Sequence, residues 1–252
     1  MNWFNLFKTF IAAAALFLFV DQGQAQMTSG TPVAMNTAMI KLLGAHPAFT
    51  AEVRASITGP SCKPLHLTMN IACLDKEIRS EVDMDKINGG GMPAQAVAQM
   101  KQLGMDRVVS IIRPGKKAIT LIYPNLRAYA ELPMGETGAS LAGEDLKMAK
   151  SALGKETVAG HPCVKSRVTF TDNKKQKQEI LVWNATDLKN FPVKMRMDTA
   201  NSEITMLYQH VNFTRPDAKQ FGPPAGYTKY SDQLEIMDKA MRRLAGRKSR
   251  KN

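Results

Sequence analysis

Cysteine is scarce in this 252-residue chain, with only Cys62, Cys73 and Cys163. Three cysteines cannot build the multi-bridge framework of a small secreted scaffold, because at most one bridge can close within the chain and one thiol stays free. Histidine is nearly as rare: His46, His66, His161 and His210 are scattered, and none stands in a G-x-S-x-G or H-E-x-x-H context. His161 and Cys163 are two residues apart with no matching pair elsewhere, which makes no zinc site. Gly89-Gly90-Gly91 lacks the lysine and the strand-to-helix setting of a phosphate loop. Neither a metal nor a cofactor is expected, and no residue is nominated as catalytic. Long apolar runs are missing too: the longest, Phe10 to Val20, has 11 residues against the roughly 20 that a membrane-crossing helix needs.

That short run sits where it has a meaning. Met1 to Ala25 carries one lysine, Lys8, then the apolar stretch, then a polar end Gly23-Gln24-Ala25, the anatomy of a cleaved secretory leader. The residue after the expected cut is Gln26 rather than cysteine, so a lipid-anchored lipoprotein is not indicated. The reading is an exported, periplasmic protein. With 44% hydrophobic and 22% charged residues, the remainder has the composition of a folded domain.

The dominant pattern is a period of two. Phe49, Ala51, Val53, Ala55 and Ile57 alternate with Thr50, Glu52, Arg54 and Ser56, predicting a half-buried strand. The same alternation returns over Leu65 to Cys73, Ile78 to Asp85, Val164 to Phe170, Glu179 to Trp183, Val193 to Asp198 and Glu203 to Phe213. Val108 to Ile112 and Ala118 to Tyr123 are more continuously apolar and flank the turn Arg113-Pro114-Gly115-Lys116; Leu126 to Leu132 follows the Pro124-Asn125 break. About ten closely spaced strands imply one antiparallel sheet rather than βαβ units. Helical spacing predicts short helices after Thr31-Pro32, over Pro93 to Leu103 with Gly104 as stop, and over Glu144 to Leu153 with Gly154 as stop. Glu81, Asp83 and Asp85 share one strand face, where a solvated surface is the simplest reading of three carboxylates.

Charge is concentrated at the end. Of the formal +12, seven charges fall on Lys239, Arg242, Arg243, Arg247, Lys248, Arg250 and Lys251, a stretch with no acid, leaving +5 for everything before it. A helix capped by Ser231 and ended by Gly246 is predicted there, with Leu234, Met237, Met241 and Leu244 as an apolar stripe able to lie on a membrane surface. Anionic lipid headgroups are the expected partner of these cations. No aromatic residue follows Tyr230 to stack bases, so nucleic acid is not an expected partner.

The order of leader, helix, strand Ala48-Phe49-Thr50-Ala51-Glu52 and many alternating strands resembles the LolA/LolB lipoprotein-carrier fold. The segments Gly154-Lys155-Glu156-Thr157-Val158-Ala159-Gly160 and Pro216-Asp217-Ala218 through Phe221 and Pro224-Ala225-Gly226-Tyr227 resemble a hairpin and a closing segment of its exported, uncharacterised lipoprotein-sorting relatives. The resemblance implies an α+β fold: a strongly curved antiparallel half-barrel covered by short helices over residues 26–230, with 231–252 as a C-terminal helix and tail. It further implies a cavity for a lipid, a lipoprotein acyl chain or another hydrophobic ligand, or a sensor module engaging a protein partner. A departure is the cavity arginine by which carriers hold their closed state, to which Arg54 on the first strand has no secure match.

Among 16 methionines, several fall on inward strand positions, where a flexible thioether suits an adaptable apolar pocket. The expected cavity residues are Leu67, Met69, Ile71, Val82, Met84, Met100, Ile112, Leu121, Met195, Met197 and Met206. Sequence leaves three cysteine pairings open. An extended strand from Lys63 to Cys73 spans about 30 Å at ~3.3 Å per residue, which disfavours Cys62 with Cys73 and makes Cys163 the expected partner of either. Cys73 with Cys163 is the bridge carried forward.

Overall fold

The computed structural model describes residues 41–60, 62–89, 94–134, 147–171, 175, 177–199 and 202–249, leaving aside the side chains of 62 and 247–249. The expected leader, the helix start at Thr31-Pro32, the segment 135–146, and Arg250 and Lys251 lie outside the described residues.

Twelve strands form one sheet: β1 Ala48–Gly59, β2 Cys62–Leu74, β3 Glu77–Gly89, β4 Arg107–Arg113, β5 Ala118–Tyr123, β6 Ala128–Pro133, β7 Lys147–Val158, β8 His161–Thr171, β9 Lys177–Ala185, β10 Phe191–Asp198, β11 Glu203–Asn212 and β12 Thr228–Tyr230. Their order is β12-β6-β5-β4-β3-β2-β1-β11-β10-β9-β8-β7. Two up-and-down meanders, β1 to β6 and β7 to β11, thus meet at the β1–β11 pair, and all pairs are antiparallel except β12 with β6. The sheet is curved and open, since its edges β12 and β7 do not meet.

Alternation assigns the faces. On β1 the buried positions are Phe49, Ala51, Val53 and Ala55, the inward set read from the sequence. One continuous core covers the inner face, while a small second cluster of Ala72, Leu74, Val109, Ile111 and Ile122 lies on the outer face under Phe221. The segment 215–227 straps that outer face. Asp217 caps its single 3₁₀ turn by accepting from the Lys219 amide at 2.9 Å. The buried Arg113 guanidinium donates to Thr120 Oγ1 and to the Phe221 carbonyl, and Arg215 pairs with Asp75 at 2.5 Å.

Among the described residues two helices of ten residues or more accompany the sheet, besides the helical residues 41–43. Helix α1, Ala94–Leu103, buries Ala96, Met100 and Leu103. It ends as predicted at Gly104, whose φ of 73° allows the closing bonds Gly104 N–H to Lys101 and Met105 N–H to Met100. Helix α2, Gln233–Ser249, packs on β6, β12 and α1. Its cap is Asp232, which accepts the Glu235 amide at 2.8 Å; Ser231 instead donates backbone and side chain to Glu235. The helix also passes through Gly246, the expected stop, to Ser249.

Three further expectations are corrected. The helix predicted over Glu144 to Leu153 is strand from Lys147 onward: β7 is the exposed edge, so no face of it had to be apolar, and Gly154, with φ of 151°, sits at a bulge rather than a helix stop. Cys73 and Cys163 form no disulfide. Both are free and buried, and β1, β11, β10 and β9 separate their strands, whereas a bridge needs Cα atoms within about 7 Å. Each thiol donates to a backbone carbonyl, Cys73 to His46 at 3.7 Å and Cys163 to His161 at 3.3 Å, and burial pushes the Cys73 thiol up to about 11. Finally, the stripe on α2 faces the domain: Ile236 and Ala240 are buried, Met237, Met241 and Leu244 pack beside them, and Leu234 points outward at 49% exposure. Most of that apolar surface is therefore packed against the domain rather than turned to solvent.

Candidate functional site

Register builds the inner face in rows. Ala152, Ser166, Val182, Met195, Met206, Ala55, Leu67 and Ile87 stand opposite one another across eight strands, from β7 to β3. One side-chain step along, Tyr208, Val53, Met69, Val82 and Val108 form the next row. Beyond that come Ala51, Ile71, Ser80, Ser110, Leu121 and Ala130. All eleven residues expected at the cavity belong to this one buried cluster, with Met100 reaching it from α1 and Met84 from the middle of β3.

The face is apolar except for a few hydroxyls and the Asn184 amide, which accepts from Lys150 at 2.8 Å toward the β7 edge. Ser80 and Ser110 satisfy each other across the β3–β4 pair, Oγ to Oγ at 2.6 Å. Ser166 and Tyr208 do not: both are within 1% of full burial, and neither hydroxyl has a hydrogen-bond partner. Leaving a buried polar group unmatched costs about 1–3 kcal/mol. Burial holds the Tyr208 phenol above its ordinary range, so it stays protonated and can donate. The Tyr208 ring meets Phe191 edge-on at 5.7 Å, and Phe191 meets Phe49 at 4.9 Å, fixing the phenol in place. Neither hydroxyl was singled out from the sequence, although the inward alternation Ile204, Met206, Tyr208 places the tyrosine correctly.

Nothing in the acidic or histidine sets converges on chemistry. Glu81 is held by Arg79 at 2.8 Å and by Arg107. Its burial raises the carboxyl, but the two guanidinium groups outweigh that and keep it below the usual range. Asp85 pairs with Lys101 at 2.7 Å, and Asp83 accepts the Asp85 amide. His161 bonds Asp187 at 2.8 Å on the surface. Among the described residues, no three His, Cys, Asp or Glu side chains are grouped to hold a metal. Arg54 lies on the outer face beside Glu52 at 3.4 Å, away from the apolar rows.

A second feature lies at the other end of the sheet. Between α2 and the β6–β12 edge is a groove of about 260 Å³, lined by Leu126, Ala128, Tyr230, Ile236, Lys239, Ala240 and Arg243. None of the eleven expected cavity residues borders it. Two of the seven expected surface cations, Lys239 and Arg243, do. Arg242 points elsewhere, to Asp238 at 2.7 Å. Arg247 and Lys248 continue the helix backbone, and Arg250 and Lys251 lie outside the described residues. No helix among the described residues is long and apolar enough to cross a membrane.

A family model described as "Domain of unknown function (DUF4412)" matches residues 66–191, half of the chain. The chain belongs to the DUF4412 family. The matched stretch carries β2 to the start of β10, hence most of the inner face, whereas β1, β11 with Tyr208, and α2 lie beyond it. No curated protein matches this DUF4412 chain. Among solved structures it is similar to the lipoprotein LppX of Mycobacterium tuberculosis, at 12% identity and a TM-score of 0.39 over 73% of this chain and 97% of that one. It is similar to a LolA superfamily protein of Nitrosomonas europaea, at 12% identity and a TM-score of 0.32 over 74% and 97%. A third is a domain titled putative outer membrane lipoprotein-sorting protein from Vibrio parahaemolyticus, at 10% identity and a TM-score of 0.33 over 75% and 94%. The resemblance read from the sequence thus points to the same group of structures.

Proposed function

We propose that this protein is an exported, periplasmic, non-enzymatic binder that holds a lipid, a lipoprotein acyl chain or another hydrophobic ligand against the inner face of its half-barrel. The observation that carries the reading is the pair of unsatisfied hydroxyls, Ser166 and Tyr208, set in an otherwise apolar and methionine-rich face. A ligand with a long apolar part and one carbonyl matches that pattern: thioethers adapt to the chain, and the phenol donates to the carbonyl. Solvent extraction of the purified protein followed by mass spectrometry tests it, together with uptake of a fluorescent fatty acid. Recovery of a lipid and saturable uptake are expected; finding neither overturns the reading.

A second reading, engagement of a protein partner, is favoured by β7. This twelve-residue edge strand is exposed along almost its whole length, with Met148 at 51% and Leu153 at 47% exposure, and such an edge accepts an extended peptide as an added strand. Capture of a defined partner from envelope extract, lost on Ser151→Pro, would favour it over lipid binding.

A further inference from the structure

The groove beside α2 combines two features that seldom share a site. Its floor is apolar, made by Leu126, Ala128, Ile236 and Ala240, and its mouth carries Lys239 and Arg243. These two cations are four residues apart on one helix face and exposed, and neither has an ion-pair partner among the described residues. Neighbouring charges are already matched: Arg242 by Asp238, Lys229 by Glu131, and Glu235 by the helix cap. Tyr230 adds a half-buried amphipathic ring to the wall, the kind of side chain that suits a boundary between apolar and wet surroundings.

We propose that this groove is a docking site for an anionic phospholipid of a membrane surface, with the phosphate group between Lys239 and Arg243 and the first part of an acyl chain laid along Leu126 and Tyr230, over the buried Ile236 and Ala240. Charge complementarity selects the occupant. An uncharged apolar ligand leaves the two cations unmatched, and a free anion leaves the apolar floor wet, so the groove fits a molecule that is both. The groove opens at the sheet's end: no residue of the apolar rows borders it, although its buried floor, Ala128, Ile236 and Ala240, belongs to the same core cluster. It replaces the membrane contact that the apolar stripe of α2 suggested, because that stripe is spent on packing.

The test is co-sedimentation of the purified protein with phosphatidylcholine vesicles, with and without phosphatidylglycerol. Wild type is expected to bind only the phosphatidylglycerol vesicles. K239Q/R243Q should weaken that binding by about thirtyfold, the effect of two cations at an anionic surface. K116Q/K117Q removes the same charge at the exposed β4–β5 turn, at the opposite end of β5 from Leu126, and should change binding by less than about twofold. Equal weakening by both double variants would mean diffuse charge attraction and overturn the site, as would equal binding to neutral vesicles or no binding by wild type. Monomeric short-chain phosphatidylglycerol bound without any vesicle binding would also overturn it. The fatty-acid uptake assay on K239Q/R243Q separates the two sites, because uptake at the inner face should be unchanged.

Discussion

At the β12–β6–β5 end of the sheet both faces are covered, whereas at β7 neither is. The inner side of β6 lies under α2, and the outer side of β5 lies under Phe221 and the strap that Arg113 holds down. On β7 the inward residues Met148, Lys150 and Ala152 and the outward Ala149, Ser151 and Leu153 are all exposed. Yet both ends are made of the same alternating antiparallel strands. Burial at a sheet's edge is therefore decided by what the rest of the chain lays over it, and the covered end has used its apolar surface on architecture. At the open end the row that begins with exposed Ala152 reaches buried Ser166 within one strand spacing, and under the proposed function this is the side from which an acyl chain enters.

The largest effect should come from the covered end. Leu121→Ala, at a position with no exposure, should cost about 2–5 kcal/mol in urea unfolding. Next, Arg113→Gln leaves the Phe221 carbonyl without its donor and should cost about 1–3 kcal/mol, with faster hydrogen exchange across the strap 215–227. If either variant were as stable as wild type, the covered end would not be the structural one.

His46 gives a handle on pH. It sits by the Phe191 and Phe213 rings, and burial, aided by Lys189, lowers its pKa. The folded protein therefore keeps His46 neutral where the unfolded chain protonates it. The resulting stability is complete above pH ~6.5 and is lost as pH falls from there through the folded-state value. Urea midpoints compared at neutral and mildly acidic pH should show that decline, and His46→Phe should flatten it. Tyr208→Phe should change stability by less than about 1 kcal/mol, because it removes a hydroxyl that has no partner, while weakening fatty-acid binding. Smallest of all, Leu153→Ala on the open edge should stay within about 0.5 kcal/mol of wild type by thermal melting.

How well the sequence could be read follows the same division. Strands with one buried face, such as β1 and β11, announce themselves by alternation, and most residues expected at the cavity are inward because that alternation is strict. β7 carries no such signal: exposed on both faces, it is free to place Ala149 and Leu153 four residues apart, a spacing that reads as helix. β12 has only three residues and takes its conformation from β6. On α2 the inward direction depends on where the sheet's edge lies, which no local pattern contains, so Leu234 was chosen where Ile236 and Ala240 do the packing. The Ser166 and Tyr208 hydroxyls stand out only once their lack of partners is visible in three dimensions.

The short parallel strand β12 also sets an order of events. Thr228 must find Ala128, 100 residues earlier, before α2 can settle beside the edge. Loop closure over that distance is slow relative to hairpin formation, as it is for the β1–β11 pair, whose nearest partners Thr58 and Glu203 are 145 residues apart, so both seams should follow the meanders. Under the proposed export, a chain crossing a membrane from its N-terminus delivers residues 228–249 after every other strand. Until they arrive β6 is a bare edge, and the groove with its two cations does not exist. Under the proposed lipid docking, the groove is complete only once β12 and α2 are in place, so a folding defect at the C-terminal end should remove docking while leaving the meanders formed.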